Sequence, residues 1–116
     1  MLTTNDWLPI GSVVHLAGSE VEELVTIFGY LQQDAGTGLL WDYVGLLHPM
    51  GFLQPGNEIL FDRDSIDGVL YVGYQDFDWE RMKDALENAE GDYQAKKDAA
   101  EKAAKAAGVV PAAGGE

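Results

Sequence analysis

Glu23–Gln32 (ELVTIFGYLQ) is the stretch from which the rest of the chain is read. β-Branched and aromatic residues dominate it. Leu24, Thr26, Phe28 and Tyr30 share one face at period two, and Val25, Ile27 and Leu31 share the other, which predicts a strand partly buried on both faces. Gly29 offers no side chain to pack, so it marks a bulge or a sharp bend. A bent strand of this kind belongs to a sheet that curls.

Its neighbours follow by the same reading. Ser12–Ala17 (SVVHLA) is a strand, and Gly18-Ser19-Glu20 is the turn after it. On the other side, Asp34–Gly38 is a loop and Leu40–Leu47 (LWDYVGLL) a third strand, with Gly45 as a second bend. His48–Gly56 holds two prolines and two glycines and is an irregular connector. Its Met50, Phe52 and Leu53 either fold onto the core or are presented to something else. Glu58–Phe61 is a short strand, Asp62–Gly68 an acidic turn, and Val69–Tyr74 a last strand with a late glycine, Gly73. Before all of these, residues 1–11 carry Trp7, Leu8 and Ile10, too apolar for a free tail, and are expected to pack against the body.

Asp76–Trp79 opens a helix. An Asp of this opening can accept from the free amides of the first turn, and Asp78 and Glu80 suit the positive end of the helix dipole. Trp79, Met82, Leu86 and Tyr93, with Ala89 between, recur at helical spacing and are read as a stripe that packs on the sheet. From Ala95 the segment KKDAAEKAAKAA has no large apolar residue. With Asp98–Lys102 and Glu101–Lys105 as acid-before-base pairs, it is expected to be a solvated helical extension stopped by Gly108. The fold class is thus α+β: a strongly bent antiparallel sheet of about five strands, open or barrel-like, with a C-terminal helix. The organisation is an acidic domain at 1–90, an Ala/Lys-rich helical extension at 91–107 and a disordered tail at 108–116.

Charge narrows the function classes. The 116 residues carry 7 Lys and Arg against 20 Asp and Glu, a net of −13. Residues 1–90 hold three of the cations and 16 of the carboxylates, so the excess sits on the folded part. Repulsion from phosphates argues against nucleic acid and against an anionic membrane surface. It favours a basic protein partner, although an acidic surface that merely solubilises is an equal reading. There is no cysteine, hence no disulfide, thiolate metal site or thiol nucleophile. No run approaches a bilayer-spanning length and the N-terminus lacks a secretory pattern, so a cytoplasmic location is expected.

Catalytic and metal patterns are weak. His15 and His48 have no partner at metal-ligand spacing, and structural or surface roles suit them best. Asp62-x-Asp64-x-x-Asp67 suggests a calcium loop, but Ile66, Asp67 and Gly73 stand where such a loop needs Asp, Gly and Glu. Asp76, Asp78 and Glu80 are better explained by capping than as a glycosidase pair. No phosphate loop, dinucleotide fingerprint or nucleophile elbow is present. The expectation is a protein that is not an enzyme, with no catalytic residue, cofactor or metal. Trp7, Trp41, Tyr43, Tyr71, Tyr74, Phe77 and Trp79 exceed what so small a body buries, and core filling is set to account for most of them, with the remainder as interface anchors.

Three segments in order carry a resemblance: Leu8–Val14 (LPIGSVV), Asp42–Gly45 (DYVG) followed by Pro49-x-Gly51, and Phe61 through Ile66-Asp67 to Gly73-Tyr74. Together they resemble a family of small bacterial domains of unknown function. Its genes lie in Gram-positive type VII secretion clusters, often beside LXG toxins. The resemblance spans about Trp7 to Leu86 and departs at Leu46, where many relatives have Cys. It implies a non-catalytic accessory protein, a chaperone or targeting factor for a secreted toxin or a secretion component. The alternative is an immunity protein that neutralises a cognate toxin, and behind it a small hydrolase using His15 or His48. The resemblance carries over no binding residue: Leu8–Ser12, Gly45 and Gly73 are structural positions. Two Tyr-x-x-x-Asp export-type matches, Tyr30…Asp34 and Tyr74…Asp78, compare with roughly one expected by chance, so export of this chain is not inferred from them.

Overall fold

The structure, a computed structural model, describes residues 6–108. Strands β1 (Val13–Leu16), β2 (Leu24–Gln33), β3 (Leu40–His48), β4 (Ile59–Phe61) and β5 (Ile66–Tyr71) precede one helix, α1 (Phe77–Ala106). Every pairing is antiparallel and the order is β4-β3-β2-β1-β5. The sheet therefore ends in two free edges and is not closed: of the open and barrel-like forms, it is the open one.

Its curvature arises where the glycines stand. Ile27 pairs with Gly45 and Gly29 with Val44, so Phe28 is an extra residue bulged out of β2. The bulge reverses the alternation. Ile27 and Tyr30, three residues apart, both reach the core side, while Phe28 is left 42% exposed. The strict period-two grouping of Tyr30 with Phe28 fails for that reason. Gly45 cannot carry a side chain, because a Cβ there would stand 2.8 Å from the Thr26 carbonyl oxygen and 3.2 Å from the Phe61 ring.

One side of the sheet is filled by Val14, Leu16, Val25, Ile27, Tyr43 and Phe61 together with Trp7, Leu8 and the helix residues Trp79, Leu86 and Tyr93. Trp7 meets Tyr30, Tyr43 and Tyr93 edge-on, and Tyr30 stacks on Trp79, with ring centroids 5.5–6.4 Å apart across these contacts. The entry segment packs as expected, with one exception: Ile10 faces solvent. Its backbone is tied in by side chains, since Leu8 N donates to Tyr43 Oη at 2.9 Å and Tyr30 Oη donates to the Leu8 carbonyl. Ser12 Oγ donates to the Pro9 carbonyl at 2.7 Å and accepts from Gly73 N at 2.9 Å, which fastens the entry to the segment after β5.

Three local expectations are corrected. The Asp62–Gly68 stretch is only briefly a turn. A 3₁₀ turn spans Arg63–Ser65, and β5 begins at Ile66, buried opposite Leu16, and ends at Tyr71, leaving Gly73 outside it. Met82 lies on the exposed side of α1. The Ala/Lys-rich stretch is not uniformly solvated. The helix runs unbroken through Gly91, and its buried line is Trp79, Leu86, Tyr93, Lys97 and Ala104, at intervals of seven or four residues. Ala104 packs with Leu39 and Trp41. The expected disordered tail lies outside the described residues, apart from Gly108.

Candidate functional site

Two regions carry more chemistry than a core needs. The first lies where α1 crosses the end of β3. The Asp42 carboxylate is 4% exposed and takes four hydrogen bonds: Arg63 N at 2.9 Å, Arg63 Nε at 3.1 Å, Tyr93 Oη at 2.8 Å and Lys97 Nζ at 3.1 Å. Lys97 Nζ also meets Asp62, whose carboxylate accepts from Asp42 N. Arg63 lies 4.0 Å over the Trp7 ring and grips Glu90 with both terminal nitrogens at 2.8 Å.

The titration of these groups follows from the geometry. Burial pushes the Asp42 carboxyl up, but the Arg63 amide, the Lys97 ammonium, the Tyr93 hydroxyl and the Arg63 side chain outweigh it and hold it below the usual carboxylate value. Burial and the neighbouring Asp42 charge raise Asp62 in spite of Lys97. Burial alone would lower Lys97, but its two carboxylates raise it, so it is held as an ammonium and not as a free amine nucleophile. Beside the network is a cleft of about 380 Å³, lined also by Asp64, Gln94, Asp98 and Glu101. Asp42, Asp62, Arg63 and Lys97 are all engaged with one another, with Tyr93 or with Glu90, which makes the network a clamp between sheet and helix.

The second region is the reverse of the sheet. By strand alternation, Val13, Thr26 and Leu46 stand away from α1, and the register sets Tyr71, Val13, Thr26 and Leu46 side by side across β5, β1, β2 and β3. No helix of the described residues lies on this face, although Val13 and Val44 within it are shielded by their neighbours and Leu24, Thr26 and Leu46 are half-buried. A shallow hollow of about 530 Å³ is lined by Val13, Leu24, Thr26, Leu70, Tyr71, Gly11 and His48. Leu70 is 60% and Tyr71 62% exposed. A second hollow beside it is lined by Phe28, Gly29 and Val44 among others, with Asp34 and Glu58 at its margin.

The residues singled out in sequence separate widely. His15 is held by Asp67 at 2.6 Å on Nδ1 and by the Glu20 carbonyl at 2.9 Å on Nε2. Both partners present acceptor oxygens, an arrangement that favours the doubly protonated ring. The Asp67 hydrogen bond and then the Glu20 carbonyl raise its pKa. His48 is exposed at the end of β3 and lines the apolar hollow. Asp62, Asp64 and Asp67 do not converge, since Asp62 faces Lys97 and Asp67 faces His15. Asp76 is the helix cap, accepting from Trp79 N at 2.9 Å, and Asp78 forms a loose exposed pair with Arg81. Of the seven singled-out aromatics, Trp7, Trp41, Tyr43 and Trp79 are buried and Tyr71, Tyr74 and Phe77 exposed. Met50, Phe52 and Leu53 are presented to solvent. Tyr30 of the first export-type match is tied to the Leu8 carbonyl, and Tyr74 of the second is exposed before α1.

Sequence reasoning missed the Asp42 clamp. Asp42 and Lys97 are 55 positions apart, and the only local signal was Lys97 recurring four residues after Tyr93 on the buried line.

Fold and surface together define a small α+β domain with one helix-covered sheet face and one bare one. The chain belongs to the family described as Domain of unknown function (DUF4176), whose model matches residues 7–82. That span includes the whole sheet and Asp42, Asp62 and Arg63, but it stops inside α1, before Glu90, Tyr93 and Lys97. The chain matches no curated protein and no solved structure.

Proposed function

We infer that this protein is a non-catalytic accessory factor that binds a secreted LXG-type toxin, or a component of its secretion apparatus, in a type VII system. It serves in the cytoplasm as a chaperone or targeting factor. The observation that carries the reading is the bare apolar sheet face on a strongly acidic domain, the outfit of a surface that docks another protein. The gene context implied by the resemblance of the LPIGSVV, DYVG and GY segments supports the class of partner. The direct test is to co-express the chain with the toxin encoded beside it and purify by a tag on one of them. A stoichiometric complex that weakens as salt is raised is the expected result. Failure to hold the toxin or any other product of the neighbouring genes overturns the reading.

An immunity role is favoured by one feature, the net negative charge of the sheet half, where ten carboxylates face a single arginine in residues 6–75, which would suit a cationic toxin site. The two roles part in the cell: an immunity protein rescues a host that expresses the toxin, whereas a chaperone or targeting factor changes toxin yield or export.

A further inference from the structure

We propose that the helix-free face of the sheet, centred on half-buried Leu24 and Thr26 and exposed Leu70 and Tyr71, is the docking site for a basic amphipathic helix of the partner. The inference rests on the binding role above and names its surface. The argument starts from how charge is divided. All seven Lys and Arg of the chain are Arg63 or members of α1, and α1 lies on the opposite side of the sheet. Residues 6–75 hold ten carboxylates and that one arginine, which is spent on Asp42 and Glu90. The bare face is accordingly fringed by carboxylates alone. Exposed Glu22 and Glu23 lead into Leu24 at one end, and Asp34 and Glu58 border the adjoining hollow at the other. The titratable ring of His15, on the same strand as Val13, is paired with Asp67.

Shape and charge then select the occupant. An antiparallel sheet with apolar residues on both faces is completed by a layer on each, and α1 supplies only one. A helix whose apolar stripe is flanked by Lys and Arg would lay the stripe on Leu70, Tyr71 and Thr26 and its cations on the acidic fringe. A second copy of this chain is the wrong partner, because it would bring another net charge of −13 and no cation on the mating face.

The test uses the full chain, isotope-labelled, and a synthetic helical peptide of leucine and lysine in which the leucines form one stripe. A second peptide has glutamate for lysine. Amide shifts in Val13, Leu24, Thr26, Leu70 and Tyr71 on adding the lysine peptide are expected, with none from the glutamate peptide. Tyr71→Lys should weaken binding about tenfold or more, as loss of a central anchor does. Glu23→Lys, at an exposed position that leaves the sheet intact, should weaken it less and reduce its salt dependence. Shifts confined to α1, equal binding of both peptides, no binding, or a concentration-dependent dimer abolished by Tyr71→Lys would each overturn the proposal. The toxin complex separates the two levels. If Tyr71→Lys holds the toxin as tightly as the parent chain, the surface is wrong and the function stands. If neither holds it, the function fails, and the peptide titration still judges the surface.

Discussion

Between Trp79 and Tyr93, helix α1 lies on the sheet through rings and Leu86, whereas between Lys97 and Ala104 it meets the same sheet through an ammonium and a methyl group. The two halves teach different things about docking. Rings and leucine supply area, and area is tolerant of small slides. Asp42 is not tolerant, because Oδ1 must meet Tyr93 Oη and Lys97 Nζ at once, and those groups stand one helical turn apart. The apolar half holds the helix down, and the ionic half sets where along the sheet it sits.

The harshest way to break that contrast is Asp42→Ala. It takes from the Lys97 ammonium one of its two carboxylates and from the Arg63 guanidinium one of its two, and the expected loss is about 3 kcal/mol in urea unfolding. A loss of about 1 kcal/mol or less would mean that the network behaves as a surface ion pair and that the halves do not differ. Acid offers the same cut without mutation. A carboxylate held below its unfolded value of 3.8 contributes stability that is complete above that pH and lost as pH falls through the folded value. Lys97, held above 10.5, contributes stability present below that value and lost as pH climbs through the folded one. Asp62 works the other way, because its raised value favours the fold when it is protonated. The parent chain should therefore weaken at both extremes, and Asp42→Ala should lose the larger part of the acid limb.

Leu86→Ala probes the apolar half. Leu86 is 4% exposed among rings, and its truncation should cost about 3 kcal/mol from lost transfer and the cavity left behind. That loss should not change with pH, since no titrating group is altered. A pH-dependent loss would show that the two halves do not act separately.

Legibility in the sequence divides along the same line. Strands and the bulge at Phe28 were readable because alternation and Gly29 are local signals. The start of α1 was readable because Asp76 announces a cap. Met50, Phe52 and Leu53 left two outcomes open, and only the structure chose between them. The acidic stretch before β5 misled, since three aspartates and a glycine read as a turn, yet Ile66 is drawn into the sheet by Leu16 across the β1 pairing. The C-terminal half of α1 was hidden by composition. A lysine in an Ala/Lys-rich run signals solvent, and nothing near it says that a carboxylate 55 positions earlier is buried and waiting for it. Nor did the sequence show that the cations gather on one side of the sheet. Their positions along the chain are plain, but the side they occupy depends on where α1 docks.

Asp76→Ala is the mildest probe and the sharpest for the contrast. The carboxylate accepts from Trp79 N and satisfies one of the free amides of the first turn. Its removal should cost about 1 kcal/mol. The Trp79 ring remains stacked on Tyr30, so the first turn stays seated while its backbone loosens. Amide exchange should quicken at Trp79 and Glu80 and stay unchanged at Tyr93 and Lys97, because the ionic half is held by contacts that the cap does not touch. If exchange at Lys97 quickened equally, the helix would be responding as one body, and the clamp at Asp42 would have no separate hold on it.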